Sequence, residues 1–375
     1  MSNRPRAFAS VPTVVVAIPV RNEAERIAPC LRALAVQQYA SRPGVVLLLN
    51  NCTDDTKAVV RGLAAELPIT LHPIAVDLPP DEAHAGMART LALQHAAALA
   101  GPDGVLLTTD ADSVAPPDWL QRNLACIAEG ADAVTGRAVI DPVEARLIPQ
   151  AMHDADAREC AYAALLDQIA SVLDPDPADP WPRHTEESGA SIAVTVPAWS
   201  RVGGMHPVPL GEDRAFVTAL RRNDVRIRHE PLIWVTVSGR IEGRAAGGMA
   251  DTMRRRMVAP DLFLDDRLEP ARDAARRARL RRRARVLHAA QMVSALLAQD
   301  LELSVPQFEQ LLGQRFFGQA WADIEQASPV LLRQRVPVTD LPQQTARARA
   351  IRARLLATMP DVAARPADRL AAVPA

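Results

Sequence analysis

The chain is predicted to be an α/β protein with a mostly parallel central sheet flanked by helices, and three observations lead there. Short apolar, β-branched runs alternate with helical stretches through the first half of the sequence. Polar, ligand-type residues gather where those runs end, at the strand ends where open parallel sheets place their ligands. The 375 residues are 49% apolar, which suffices for one large core with an appended region, or for two domains.

Each element follows from local pattern. Val14 to Ile18 is a continuous apolar run and reads as a buried strand. Glu23 to Gln37 places Ile27, Leu31, Leu34 and Ala35 on one helical face. Val45 to Leu49 is the next strand, a helix runs from about Asp54 to Leu67, and a third strand lies at Ile69 to Val76. A helix over Ala85 to Leu99 leads into the strand Val105 to Thr109, and another helix follows over Pro116 to Ile127. Right-handed crossovers between parallel strands are expected.

The middle of the chain is less regular. Arg146 to Leu173 is helical, with Tyr162, Leu165, Leu166 and Ile169 on its apolar face. The run Asp174 to Pro182 holds four prolines, each lacking a donor and biasing its predecessor to extended backbone, so it is a loop. Ser191 to Val196 is a strand, Val202 to Met205 a turn, Asp213 to Arg222 a helix, and Ile227 to Val237 alternates like strand near a sheet edge. From about Gly243 the chain becomes helical and Arg-rich. Leu287 to Leu303 and Phe308 to Ile324 read as amphipathic helices, and the stretch from Pro337 onward is expected to fray. The boundary is drawn between a domain at 1–245 and a helical region at 246–375.

Composition removes several function classes. Forty-three basic against 44 acidic residues leave a net charge of −1, so no global field favours nucleic acid. Cys30, Cys52, Cys126 and Cys160 are scattered without a Cys-x-x-Cys pair, against a zinc site or a disulfide framework. No run is long and apolar enough to span a bilayer, and the first residues do not read as a signal peptide, so a cytoplasmic protein is expected. Eight arginines lie within Arg272 to Arg285; this segment either contacts an anionic membrane surface or acidic partner, or is a solvated helix paired with acids such as Asp261, Asp265, Glu269 and Asp273.

The chemistry concentrates at Asp110-Ala111-Asp112. Residues two apart in an extended segment point the same way, so both carboxylates reach one hard divalent cation with positions left for phosphate oxygens. The alternative is capping, by Asp110 of the turn and by Asp112 or Ser113 of the next helix. Further motifs accompany it in order: Ala17-Ile18-Pro19-Val20-Arg21-Asn22-Glu23; Asn50-Asn51-Cys52-Thr53-Asp54-Asp55-Thr56; Gly86-Met87-Ala88-Arg89; and Val202-Gly203-Gly204-Met205 leading to Gly211-Glu212-Asp213. Thr53 and Asp54 read as helix-capping residues.

This ordered set resembles family 2 glycosyltransferases, nucleotide-sugar-dependent enzymes of the GT-A fold, over roughly Thr13 to Arg244. The resemblance implies that Pro19, Arg21 and Glu23 hold the nucleotide, with Asn50 at a position where the family usually has an Asp bonding uracil. An Asn both donates and accepts, which leaves guanosine or thymidine open beside uridine. Gly86 then permits close backbone approach and Arg89 pairs with a phosphate. Asp110 and Asp112 hold Mn²⁺ or Mg²⁺, with Ala111 beside the donor. Gly189 and Ala190 form the sugar-side wall, while Arg240 and Arg244 clamp the diphosphate. Asp213, preceded by Glu212, matches the general base that deprotonates the acceptor hydroxyl for displacement with inversion. A Gln-x-x-Arg-Trp segment, carried by processive relatives, is absent, which favours a soluble enzyme adding one sugar. Two other classes stay open: a nucleotidyltransferase acting on sugar phosphates, and a non-catalytic scaffold that keeps the fold.

Overall fold

The computed structural model describes residues 12–39, 42–243 and 247–358. Its elements alternate as the pattern requires: β1 (Val14–Val20), α1 (Ile27–Ala35), β2 (Gly44–Asn50), α2 (Thr56–Glu66), β3 (Thr70–Val76), α3 (Ala85–Ala100), β4 (Val105–Thr108), α4 (Trp119–Ala128), β5 (Ala133–Ile140), α5 (Gln150–Leu173), β6 (Ile192–Thr195), α6 (Val196–Arg201), α7 (Glu212–Arg222) and β7 (Ile227–Val237). The C-terminal part is helical, with α8 (Met249–Val258), α9 (Ala271–Ala290), α10 (Ala295–Asp300), α11 (Val305–Leu312), α12 (Phe317–Ala327) and α13 (Leu341–Thr358).

The seven strands form one sheet in the order β3-β2-β1-β4-β6-β5-β7. All pairings are parallel except those of β6, which runs antiparallel to both β4 and β5. This is the mostly parallel, helix-flanked sheet expected of a GT-A fold. Alternate residues of β1 and β2 feed two cores. Val14, Val16, Ile18, Val45 and Leu47 face α1, α2 and α4, whereas Val15, Ala17, Val46 and Leu48 face α3 and α7.

The reversed strand positions the site. Thr108, the last residue of β4, lies opposite Ile192, the first residue of β6. The segment entering β6 therefore meets the segments leaving β1, β2 and β4 at one end of the sheet.

Several boundaries differ from expectation for physical reasons. β1 continues one residue past Pro19, because pairing with β4 stops at Ala17 and the missing Pro donor leaves no ladder bond broken on that side. β5 was not foreseen: Gly136 interrupts the apolar run Ala133–Ile140, and a register shift between Thr135 and Arg137 against β7 takes up Pro231 on the edge strand. The helix expected from Pro116 begins at Trp119, and neither Asp112 nor Ser113 caps it. The long helix expected over Leu287 to Leu303 is broken, with α9 ending at a left-handed Gln291 before α10 starts. The stretch after Pro337 does not fray at once, since α13 is anchored by Leu341 and Ala348 against Tyr162, Leu165, Leu166 and Ile169 of α5. Residues 359–375 lie outside the described residues.

Helix α5 precedes the boundary at 245 yet shares this core with Leu264, Ala271, Ala275 and Val336 from the C-terminal region. A further cluster, built on Leu297, Phe308, Trp321 and Ile324, holds α9 to α12 together. The arginines of α9 are largely engaged: Arg277 with Glu269 and Glu325, Arg281 and Arg285 with Asp174, Arg276 with Asp273, and Arg283 with Asp300. Among the described residues no helix is long and apolar enough to cross a membrane.

Candidate active site

Asp110 and Asp112 leave the carboxyl end of β4 and turn toward two different arginines. Arg89, on the second turn of α3, is only 6% exposed and donates to four protein acceptors: Asp110 Oδ1 at 2.5 Å, Glu212 Oε1 at 3.1 Å, Thr108 Oγ1 at 2.7 Å and the Gly189 carbonyl at 2.9 Å. It is thus a buried strut joining β4, the segment entering β6 and the start of α7. Its guanidinium faces protein oxygens, whereas the motif led us to expect a phosphate ligand. Gly86, one turn earlier, lies so close to the Val208 carbonyl that a Cβ there would stand 1.9 Å from the oxygen. The close approach expected at Gly86 is therefore to backbone of this chain.

Arg240 plays the corresponding role on the other side. It reaches both Glu23 oxygens, at 2.8 and 2.5 Å, and Asp112 Oδ2 at 3.3 Å. Arg244, the second expected clamp, lies outside the described residues. Four carboxylates pair with these two guanidiniums among the described residues, Asp110 and Glu212 with Arg89, and Glu23 and Asp112 with Arg240. The shortage of positive charge shows at Asp112, whose carboxyl is pushed up to about 6 by burial and by neighbouring Asp110 and Glu23, against the opposing pull of Arg240. Such a site suits a hard divalent cation held by Asp110 and Asp112. Among the described residues no group of three His, Cys, Asp or Glu side chains converges, so the remaining positions would fall to water and substrate oxygens.

The nucleotide side is built from the ends of β1 and β2. Asn50, the last residue of β2, is 2% exposed and its Oδ1 has no hydrogen-bond partner among the described residues. A buried acceptor left open is unfavourable unless a ligand completes it. Arg21 is exposed and donates to the Ala83 carbonyl at 2.7 Å, and Pro19 sits half-buried in the strand above. Asp54, one residue before the N-cap Asp55, accepts from Thr56 N–H at the start of α2 at 3.0 Å, while Thr53 N–H instead donates to Asn22 Oδ1 at 2.8 Å.

Two asparagines that the sequence analysis quoted but gave no role shape this edge. Asn22 and Asn51 both have left-handed backbone, with φ of 53° and 49°, a conformation Asn tolerates better than most residues. Asn51 exchanges two hydrogen bonds with Leu78 and so ties the chain after β3 to the crevice. Glu144 was also missed. It accepts from Arg26, the Ser238 hydroxyl and the Gly239 N–H, and thereby holds the turn that presents Arg240.

Asp213 lies in the first turn of α7. Its Oδ2 accepts from Gly189 N–H at 3.0 Å and its Oδ1 from Arg214 N–H at 2.7 Å. Gly189 is required by close approach, because a Cβ would stand 2.7 Å from the Arg89 guanidinium carbon. Ala190 and Ala111 are buried. The Gly189 peptide is consequently gripped from both sides, its carbonyl by Arg89 and its N–H by Asp213. His184 is occupied by other partners: half-buried, its Nε2 donates to the Thr135 carbonyl and its Nδ1 accepts from Glu186 N–H, and burial together with nearby His229 pulls it down to about 3.

The Pro-rich loop is tethered. Arg228 donates to the Pro180 and Pro182 carbonyls, and Asp179 accepts from His229 N–H at 2.9 Å and Nδ1 at 2.7 Å. This loop, α5 and the C-terminal helices enclose a crevice of about 2820 Å³ that also includes Asp213 and Ser188.

No curated protein matches this sequence. Among solved structures, residues 1-349 of S. aureus TarS in complex with UDP-GlcNAc show 18% identity and a TM-score of 0.46, covering 92% of this chain and 89% of that one. The mannosyltransferase PcManGT from Pyrobaculum calidifontis, in complex with GDP-Man and Mn²⁺, shows 18% identity and a TM-score of 0.43, covering 97% and 86%. The model of glycosyl transferase family 2 matches residues 15–172, which span β1 to α5 and include Asp110 and Asp112. Over that segment the chain is similar to glycosyl transferase family 2.

Proposed function

We propose that the protein transfers one sugar from a nucleoside-diphosphate sugar to an acceptor hydroxyl, with inversion, using Asp213 as general base. The observation that carries this reading is the double connection across the crevice: Arg89 links Asp110 to Glu212, and Gly189 links Arg89 to Asp213. A cation-ready carboxylate pair and a proton acceptor are thereby held on one rigid frame. Asn50 and Glu23 lie at the neighbouring strand ends, where the base and ribose would sit.

The chemistry follows from what each group can do. The acceptor oxygen bonds to the anomeric carbon while its proton passes to the Asp213 carboxylate. The anomeric carbon–oxygen bond to the diphosphate breaks, and its electron pair leaves with the nucleoside diphosphate. When bound at Asp110 and Asp112, Mn²⁺ or Mg²⁺ supplies positive charge against that leaving group. Arg240 stands within reach of the same phosphates on leaving Glu23, and the open Asn50 Oδ1 accepts an N–H from the base. The acceptor enters by the large crevice next to Ser188 and Asp213.

The test is release of nucleoside diphosphate from a panel of UDP-, GDP- and dTDP-sugars, with and without Mn²⁺ or Mg²⁺. Turnover of at least one donor is expected, abolished by chelation. Failure of every donor under both metals would sink the assignment.

A further inference from the structure

The base and the sugar-side wall are both tied to a single turn of the C-terminal region. Glu187, two residues before Gly189, has a side chain only 2% exposed, and its carboxylate pairs with Arg221 of α7 and with Arg267, whose Nη1 lies 3.1 Å from Oε2. Arg214, directly after Asp213, pairs with Asp265 at 2.9 Å. Asp265 in turn accepts from the Arg267 N–H at 3.0 Å. One three-residue turn, Asp265–Arg267, thus holds a residue on each flank of the Gly189–Asp213 hydrogen bond.

The turn is itself fastened. Asp265 N–H donates to Glu159 on α5 at 2.7 Å, Leu264 N–H to the Val336 carbonyl at 3.0 Å, and Arg333 to the Arg267 carbonyl at 2.5 Å. Burial alone would raise the Asp265 carboxyl, but bonds from Arg267 N–H and Arg214 bring it down to about 2, so it stays ionised wherever the protein works.

We propose that the Asp265–Arg267 turn is a positioning element for the catalytic base, fixing Gly189 against Asp213 from the C-terminal region. The proposal rests on Asp213 being the base. It gives the C-terminal helices a catalytic purpose: removing the turn's grip frees Glu187 and Arg214, the Gly189 N–H drifts from Asp213, and the base is no longer aimed at the acceptor.

The experiment uses the full chain with Arg267→Ala, Arg267→Lys and Asp265→Asn, and with Arg283→Ala as a control in the same region. Hydrogen exchange of the Gly189 amide reads the geometry, and hydrolysis of UDP- and GDP-sugars with Mn²⁺ reads turnover. In Arg267→Ala the Gly189 amide should exchange at least ~10-fold faster, since a local hydrogen bond has loosened. Turnover should fall ~10-fold with donor KM within about twofold, as expected for a misaimed group that does not bind the donor. Arg267→Lys should recover much of both, and Arg283→Ala should change neither. Unchanged Gly189 exchange in Arg267→Ala and Asp265→Asn overturns the proposal, as does faster exchange with turnover intact. The base reading fails separately, if Asp213→Asn alone retains full turnover.

Discussion

Replacing Arg89 by Met tests whether one buried guanidinium holds the catalytic frame together. Met keeps most of the side-chain volume and removes the charge and every donor. Four acceptors lose their partner: Asp110, Glu212, Thr108 Oγ1 and the Gly189 carbonyl. Asp110 is 36% exposed, so water replaces the lost bond and little stability is forfeited there. Glu212 is 10% exposed and cannot rehydrate in place. Breaking a buried pair costs about 3–5 kcal/mol, and the orphaned hydroxyl and carbonyl add roughly 1 kcal/mol each. Partial relaxation offsets some of this, so a loss of about 4 kcal/mol is expected in urea unfolding at pH 7. Adding Glu212→Gln to Arg89→Met should return roughly 1–2 kcal/mol by removing the stranded charge. Arg89→Lys should recover less than half, because a single ammonium cannot span acceptors on three segments. A loss below ~1.5 kcal/mol for Arg89→Met, or a double variant no better than the single, would refute the strut.

Four further outcomes are expected. Asp213→Asn should lower transfer by about 10²–10⁴-fold while nucleoside diphosphate affinity, read by calorimetry, stays within twofold. Gly86→Ala should destabilise the fold by ~2–4 kcal/mol in the same urea assay, because the clash is with the Val208 carbonyl and not with a side chain that can swing away. Chelation should abolish donor turnover, with recovery on adding Mn²⁺ or Mg²⁺; full activity in chelator would exclude the metal role of Asp110 and Asp112. His184 is neutral in the fold and down at about 3, so the unfolded chain binds its proton first as pH falls. Stability from this group is complete above about pH 6.5 and declines by up to roughly 1.4 kcal/mol per pH unit below it. Between pH 6.5 and 5, His184→Asn should show a shallower decline than the unmodified protein.

Much of the fold was legible because period and punctuation agree. β1, β2, β4 and α1 to α4 are carried by apolar runs and faces that no other conformation buries as well, and the motifs fall at their ends. What escaped depends on long-range partners. β5 holds Gly136 and Arg137 and reads as broken until β7 supplies its matching bulge. Glu144 and Glu187 are single acids in unremarkable contexts, and their importance lies in arginines 118 and 34 positions away or more. Arg89 shows the converse case. Its motif marks it as a phosphate ligand, but the sequence could not reveal that Thr108, Gly189 and Glu212 all aim at it. The stretch from Pro337 reads as fraying because it is rich in Ala, Arg and Pro and lies at the end of the chain, whereas a few small buried contacts of α13 with α5 suffice to hold it.

The reversed strand β6 also dictates an order of assembly. On the ribosome, β1 to β4 emerge as a four-stranded parallel unit whose β4 edge has no partner until Ile192 to Thr195 have been made. Arg89 leaves the exit 123 residues ahead of Glu212, an interval of roughly 6–25 s at about 5–20 residues per second. Throughout that delay the nascent chain presents an apolar open edge, with the Arg89 guanidinium beneath it held only by Asp110 and Thr108, and an open edge invites wrong pairing with other strands. Synthesis of this protein is therefore expected to depend on chaperone protection until the segment from Glu187 through Glu212 closes over Arg89.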